Sequence, residues 1–110
     1  MRRYCLALDL KDDPELIAGY EKHHRAVWPG VLKSIKDAGI ESMEIYRTGN
    51  RLFMIMEVND SFSFERKSQS DLTNPDVLQW EALMWTYQQK LPIAKPGEKW
   101  VVMDRIFKLQ

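Results

Sequence analysis

Apolar residues near the start of the chain recur at every second position. Tyr4, Leu6, Leu8 and Leu10 share one face of a strand over Arg2–Leu10, with Cys5 and Ala7 on the other. Asp13 and Pro14 then supply an N-cap and a first helical residue, so a helix is predicted from there to about Val27. Pro29 breaks it, and "WPGVLKSIKDAG" reads as a second helical piece ending at Gly39. "ESMEIYR" and "LFMIMEV" predict two strands joined by the hairpin turn "TGN". "SFSFERKSQSDL" is weakly helical. "NPDVLQWEALMWTYQQKL" predicts a strong helix, with Asn74 as cap and Pro75 at its first position. "PIAKPGEK" reads as loop and "WVVMDRIFKL" as a last strand.

The order β-α-β-β-α-β, with its first helix broken, predicts an α+β fold. It is a ferredoxin-like antiparallel sheet with helices on one face, and residues 1–110 form a single domain. The strands carry apolar residues on both faces. Leu52, Met54, Met56 and Val58 oppose Phe53 and Ile55; Val101, Met103 and Phe107 oppose Val102 and Ile106. An antiparallel sheet with one wet face alternates more cleanly. Helices cover one face only, so a second copy is expected on the other, making a homodimer.

Composition narrows the function. Sixteen basic residues balance sixteen acidic ones, so no basic excess invites nucleic acid. The lone Cys5 makes no internal disulfide and gives no metal framework. No apolar run is long enough for a signal peptide or a membrane span, and a cytoplasmic location is expected.

Against this ordinary background "YEKHHRAVWPG" stands out. Tyr20 and His24 are four residues apart and share a helical face, which Trp28 joins if the helix persists. His23 points about a hundred degrees away and is expected near Glu21, Lys22 and solvent. The bland alternative for His24 is a core histidine with one nitrogen satisfied. A phenol and an indole beside it, each with a polar tip needing a partner, favour a site. A second group lies in "LQWEALMWTYQQKLP", where Trp80 and Met84 share a face, as do Glu81 and Trp85. Indole faces beside amides and carboxylates suit a carbohydrate pocket; core or interface packing is the other reading. No metal-ligand spacing, phosphate loop or nucleophile motif occurs, so neither metal nor cofactor is expected. Proton transfer in an aromatic pocket remains.

The motif Tyr20-x3-His24-x3-Trp28-Pro29, after a first strand and an acidic turn, resembles that of the bacterial L-rhamnose mutarotase family. "DAGIESMEIYR" and "WEALM" continue the match, which runs in order over nearly the whole chain. The resemblance implies a dimeric α/β barrel that interconverts the α and β anomers of a 6-deoxy-L-hexose. It places the general acid at His24, a substrate-binding tyrosine at Tyr20 and one tryptophan of a Trp–Trp pair at Trp80. Trp28, Glu81 and Trp85 complete the expected substrate-binding set. The chain departs from the family pattern at two positions: Glu81 stands where the second tryptophan falls, and Met43 where a further tyrosine falls. The tail "LPIAKPGEKWVVMDRIF" lacks the usual Asn-Pro-Asp-Asn-Ser-Pro stretch and looks like the branch assigned to L-fucose.

The chemistry suits the residues. Opening a hemiacetal needs one proton removed from the anomeric hydroxyl and one delivered to the ring oxygen. Histidine, with a reference pKa of about 6.5, exchanges protons near neutrality. Two other readings stay open from the residues alone: an oxygenase or haem-handling protein of the same dimeric barrel type, and a non-catalytic sugar-binding module.

Overall fold

The computed structural model describes residues 1–110. Strand β1 (Arg2–Leu10) leads into helix α1 (Pro14–His24) and helix α2 (Pro29–Asp37). The hairpin β2 (Ile40–Thr48) and β3 (Arg51–Val58) follows, then α3 (Phe64–Leu72) and α4 (Pro75–Trp85). Two short strands, β4 (Gln88–Gln89) and β5 (Val101–Val102), complete the sheet. The sheet order is β2-β3-β1-β4, with β5 pairing β1 as well, and every pairing is antiparallel. With β1 central and the last-formed strands on its free edge, this is the predicted ferredoxin-like arrangement.

The local signals act as their chemistry requires. The Asp13 carboxylate accepts from the Glu15 and Leu16 amides, and the Asn74 side chain accepts from Asp76 and Val77. Gly39 takes φ +96° just past α2, and Gly49 takes φ +55° in the two-residue hairpin loop. Leu6, Leu8 and Leu10 of β1, with Leu52, Met54, Met56 and Val58 of β3, are buried beneath the helices. On the opposite face, Asp9 pairs with its cross-strand neighbour Arg51 through two N–H···O bonds. No helix is long and apolar enough to cross a membrane.

Three boundaries differ from expectation. Helix α1 ends at His24 rather than near Val27. Pro29 forces the residue before it out of the helical region, and Trp28 is extended (φ −60°, ψ 139°), so the turn must close earlier. Helix α4 ends at Trp85 rather than running to Leu91. The Thr86 hydroxyl donates to the Leu83 carbonyl, and Gln88–Gln89 bond to the free edge of β1 at Leu10 and Asp9. The last strand is two residues long instead of ten. Its register sets Val102 opposite Leu6, so continued pairing would bring Arg105 directly opposite Arg3.

Candidate active site

Helix α1 presents Tyr20 and His24 one turn apart, and their rings lie 4.3 Å apart. Trp80 comes from α4, with its ring 5.5 Å from His24 and edge-on. Trp28, the N-cap of α2, packs edge-on against Trp80 at 5.2 Å. The helix break therefore does not remove Trp28 from the aromatic group. It brings the indole from a second helix against Trp80, though Trp28 itself is not among the residues lining the cavity.

Tyr20, His24, Trp80 and Glu81 line one cavity of about 760 Å³ between the sheet and the helices. Its other walls are mainly apolar, drawn from the two core clusters around Met54 and Met84. Met43 of β2 lies on that wall as well. A smaller, more polar cavity, walled in part by Glu21, Arg25 and Arg47, shares Tyr20 and His24 with the first, so the pair stands at the border of both. Lys67 and Asp71 also line the large cavity, and Lys67 bonds Asp71 and Ser34 in a polar cluster.

The His24 Nδ1 lies 2.9 Å from the Tyr20 carbonyl oxygen. A carbonyl only accepts, so Nδ1 carries the proton and the neutral ring keeps its lone pair on Nε2. Burial pushes the His24 imidazole below its ordinary pKa; the Tyr20 carbonyl works against that shift and His23 adds to it. His24 is thus a neutral base at neutral pH. Burial pushes the Tyr20 phenol up to about 12, a contact with Gln88 opposes the shift, and Glu81 adds to it. Tyr20 stays protonated and able to donate.

His23 is not the solvent-facing residue expected. Its Nε2 lies 3.1 Å from the Tyr87 hydroxyl, and its ring meets Trp80 edge-on at 6.4 Å. Tyr87 can lie this close to α1 because residue 19 is glycine: a Cβ there would stand 2.9 Å from the Tyr87 ring. Helical angles alone misplaced His23, because the partner on α4's exit segment is set by tertiary packing.

The structure separates Trp85 from the cavity. It is 40% exposed, and the Lys99 ammonium sits over its ring at 4.7 Å. That ammonium also bonds the Glu81 carboxylate. Burial lowers the Lys99 pKa, while Glu81 acts in the opposite sense and holds the charge. Lys99 arrives from the segment between β4 and β5, as do two cavity-lining residues outside the expected site set, Glu98 and Trp100. Gln88 lines the cavity too. The run "GEKW", rich in polar and aromatic groups, was the available signal for that wall; divided between a loop and a last strand, it yielded no site residue.

A family model described as L-rhamnose mutarotase matches residues 3–109. The chain is 48% identical over 111 residues to an L-fucose mutarotase of Xanthomonas campestris pv. campestris, covering 99% of this chain and 89% of that protein. It is 31% identical over 98 residues to an L-rhamnose mutarotase of Phocaeicola vulgatus, covering 87% and 85%. The crystal structure of an L-rhamnose mutarotase from Formosa agariphila superposes with a TM-score of 0.72 at 19% identity over 100% of both chains. That likeness establishes the fold, the type of the dimeric α/β barrels.

Proposed function

The chain belongs to the L-rhamnose mutarotase family, and from that premise we propose that it is a 6-deoxy-L-hexose mutarotase with L-fucose ahead of L-rhamnose as substrate. The observation that carries the chemistry is a neutral His24, its Nδ1 occupied by a carbonyl, on the wall of a largely apolar cavity beside Tyr20 and Trp80. The preference for L-fucose rests on the 48% identity to an L-fucose mutarotase and on Glu81 and Met43.

His24 Nε2 takes the proton of the anomeric hydroxyl. The C1–O5 bond breaks, its electron pair goes to the ring oxygen, and that oxygen takes the proton of the Tyr20 O–H, which Tyr20 recovers on ring closure. Rotation about C1–C2 in the open aldehyde exposes the other carbonyl face. Ring closure reverses the transfers, and the imidazolium returns its proton to O1. No electrons leave the sugar, so the step needs no redox partner. Acid–base help of this kind contributes about 10²- to 10⁴-fold. Trp80 holds the ring and its methyl group, backed by Trp28, and Glu81 accepts from a hydroxyl. Trp85 serves through Lys99.

A homodimer formed through the sheets completes this reading. Phe53 and Ile55 face away from the helices, and Val102, Met103, Ile106 and Phe107 are exposed on the chain's last segment. The unpaired Cys5 thiol fits a cytoplasmic site of action. The deciding experiment is saturation-transfer NMR of anomer exchange with L-fucose, L-rhamnose and D-glucose. Exchange accelerated for L-fucose above L-rhamnose supports the proposal; no acceleration of either deoxy sugar overturns it.

A further inference from the structure

Gln88 is 4% exposed and lines the large cavity, and its Oε1 is the one buried side-chain polar atom that no protein donor reaches. Its Nε2 lies 3.5 Å from the Tyr20 hydroxyl. Turning the amide over would not cure this. The carbonyl oxygen would then face Tyr20, and the NH₂ would be left without a partner. Either way, one amide atom is buried at a cost that a plain core position would avoid by carrying an apolar residue.

The backbone explains how the side chain is held. Gln88 opens β4, where it pairs with Leu10 of β1, and Leu10 is fully buried. The main chain on either side is therefore fixed. In the observed orientation the amide donates to the Tyr20 oxygen, which frees the phenol's own proton to point elsewhere. Gln88 and Tyr20 both line the cavity, so a buried acceptor without a partner and a phenol donor belong to the same wall. A sugar carbon bearing a hydroxyl next to another oxygen offers the complementary pair.

We infer that Gln88 is a further substrate-binding residue, whose free amide oxygen accepts a hydrogen bond from a hydroxyl of the sugar while its NH₂ orients the Tyr20 phenol. The inference rests on the mutarotase reading of the same cavity and adds to it the residue that pairs with Tyr20.

The test uses the full chain and Gln88→Met, which keeps the side chain's length and removes both polar atoms. Gln88→Leu serves if that variant does not fold. With L-fucose, the KM for anomer exchange is expected to rise about tenfold, with a smaller change in kcat. The melting temperature without sugar should hold or rise, because an unpaired buried dipole has been removed. The upward shift in melting temperature that L-fucose gives the unchanged protein should shrink in the variant. A merely structural Gln88 predicts the opposite: a lower melting temperature, with KM unchanged in the folded fraction. A folded variant whose KM stays within twofold overturns the inference. Absence of exchange in the unchanged protein with any sugar would instead overturn the mutarotase reading itself.

Discussion

The ring of His24 and the backbone of Tyr20 are joined by a 2.9 Å contact from Nδ1 to the carbonyl oxygen four residues earlier. The helix thus orients the proposed base: one turn of α1 sets its tautomer, its ring plane and the nitrogen left free. His24→Ala should therefore lower anomer exchange by about 10²-fold or more while the protein still folds. His23→Ala should keep exchange within a few-fold and lose about 1 kcal/mol of stability through its bond to Tyr87. Exchange rates and thermal melts of both variants, side by side, check the contrast.

The direction of the His24 shift fixes a pH dependence. Burial favours the neutral ring, so its folded pKa lies below the unfolded value of about 6.5. The unfolded chain takes up the proton first as pH falls. The stability contributed by the neutral ring is whole above pH 6.5, about the unfolded value, and is lost as pH falls towards the folded pKa. The exchange rate should likewise hold at mildly acidic pH and drop only below the usual histidine range. Chemical denaturation and kcat/KM profiles between neutral and acidic pH, with His24→Gln as reference, measure both; a rate that falls in step with an ordinary histidine would contradict the burial argument.

Lys99 holds Glu81 against the cavity while lying on Trp85. Glu81 is half exposed, so breaking the pair should cost at most about 1 kcal/mol of stability. Lys99→Met should nevertheless raise the KM for L-fucose several-fold, because the carboxylate loses its anchor. Lys99→Arg should recover part of it. Steady-state kinetics on the two variants, with melting curves, separates positioning from folding.

Gly30, in the first turn of α2, faces Asp76 at the start of α4. A Cβ there would lie 1.9 Å from Asp76 Oδ2. Gly30→Ala is expected to destabilise the chain by about 1–3 kcal/mol, the scale of an overpacked contact. Removing the obstacle in Gly30→Ala/Asp76→Ala should return most of it. Urea melts of the single and double variants provide the comparison.

Ile106 and Phe107 are 96% and 75% exposed. If a second copy covers the sheet, sedimentation at micromolar concentration should give twice the 13.0 kDa chain mass, and Phe107→Asp should shift it towards monomer. A wild-type monomer under those conditions would refute the dimer.

Much of this molecule was legible in its residues. Asp13-Pro14 and Asn74-Pro75 marked two helix starts because a capping oxygen followed by proline has one comfortable use. The alternation from Leu52 to Val58 marked β3's buried face because side chains on a strand have no third direction to take. Tyr20 and His24 were placed together by helix geometry alone. What escaped were relations between distant segments. His23 finds Tyr87 64 residues away, and Lys99 finds Glu81 18 residues back. Gln88 looked like one more turn of an amphipathic helix, because the pattern carries no sign of the open edge on β1 that draws it into the sheet. Edge pairing is a property of the assembled sheet, not of the window being read.

Glu98 and Trp100 line the cavity from a stretch with no regular secondary structure, while His24 lines it from a capped helix. The two halves can therefore vary independently. An insertion or deletion between Lys90 and Trp100 would reshape what the cavity accepts and leave the turn that fixes His24 intact. In descent from a common ancestor, a lineage could exchange one deoxy sugar for another by recasting this stretch, with the helix that carries His24 left as it is.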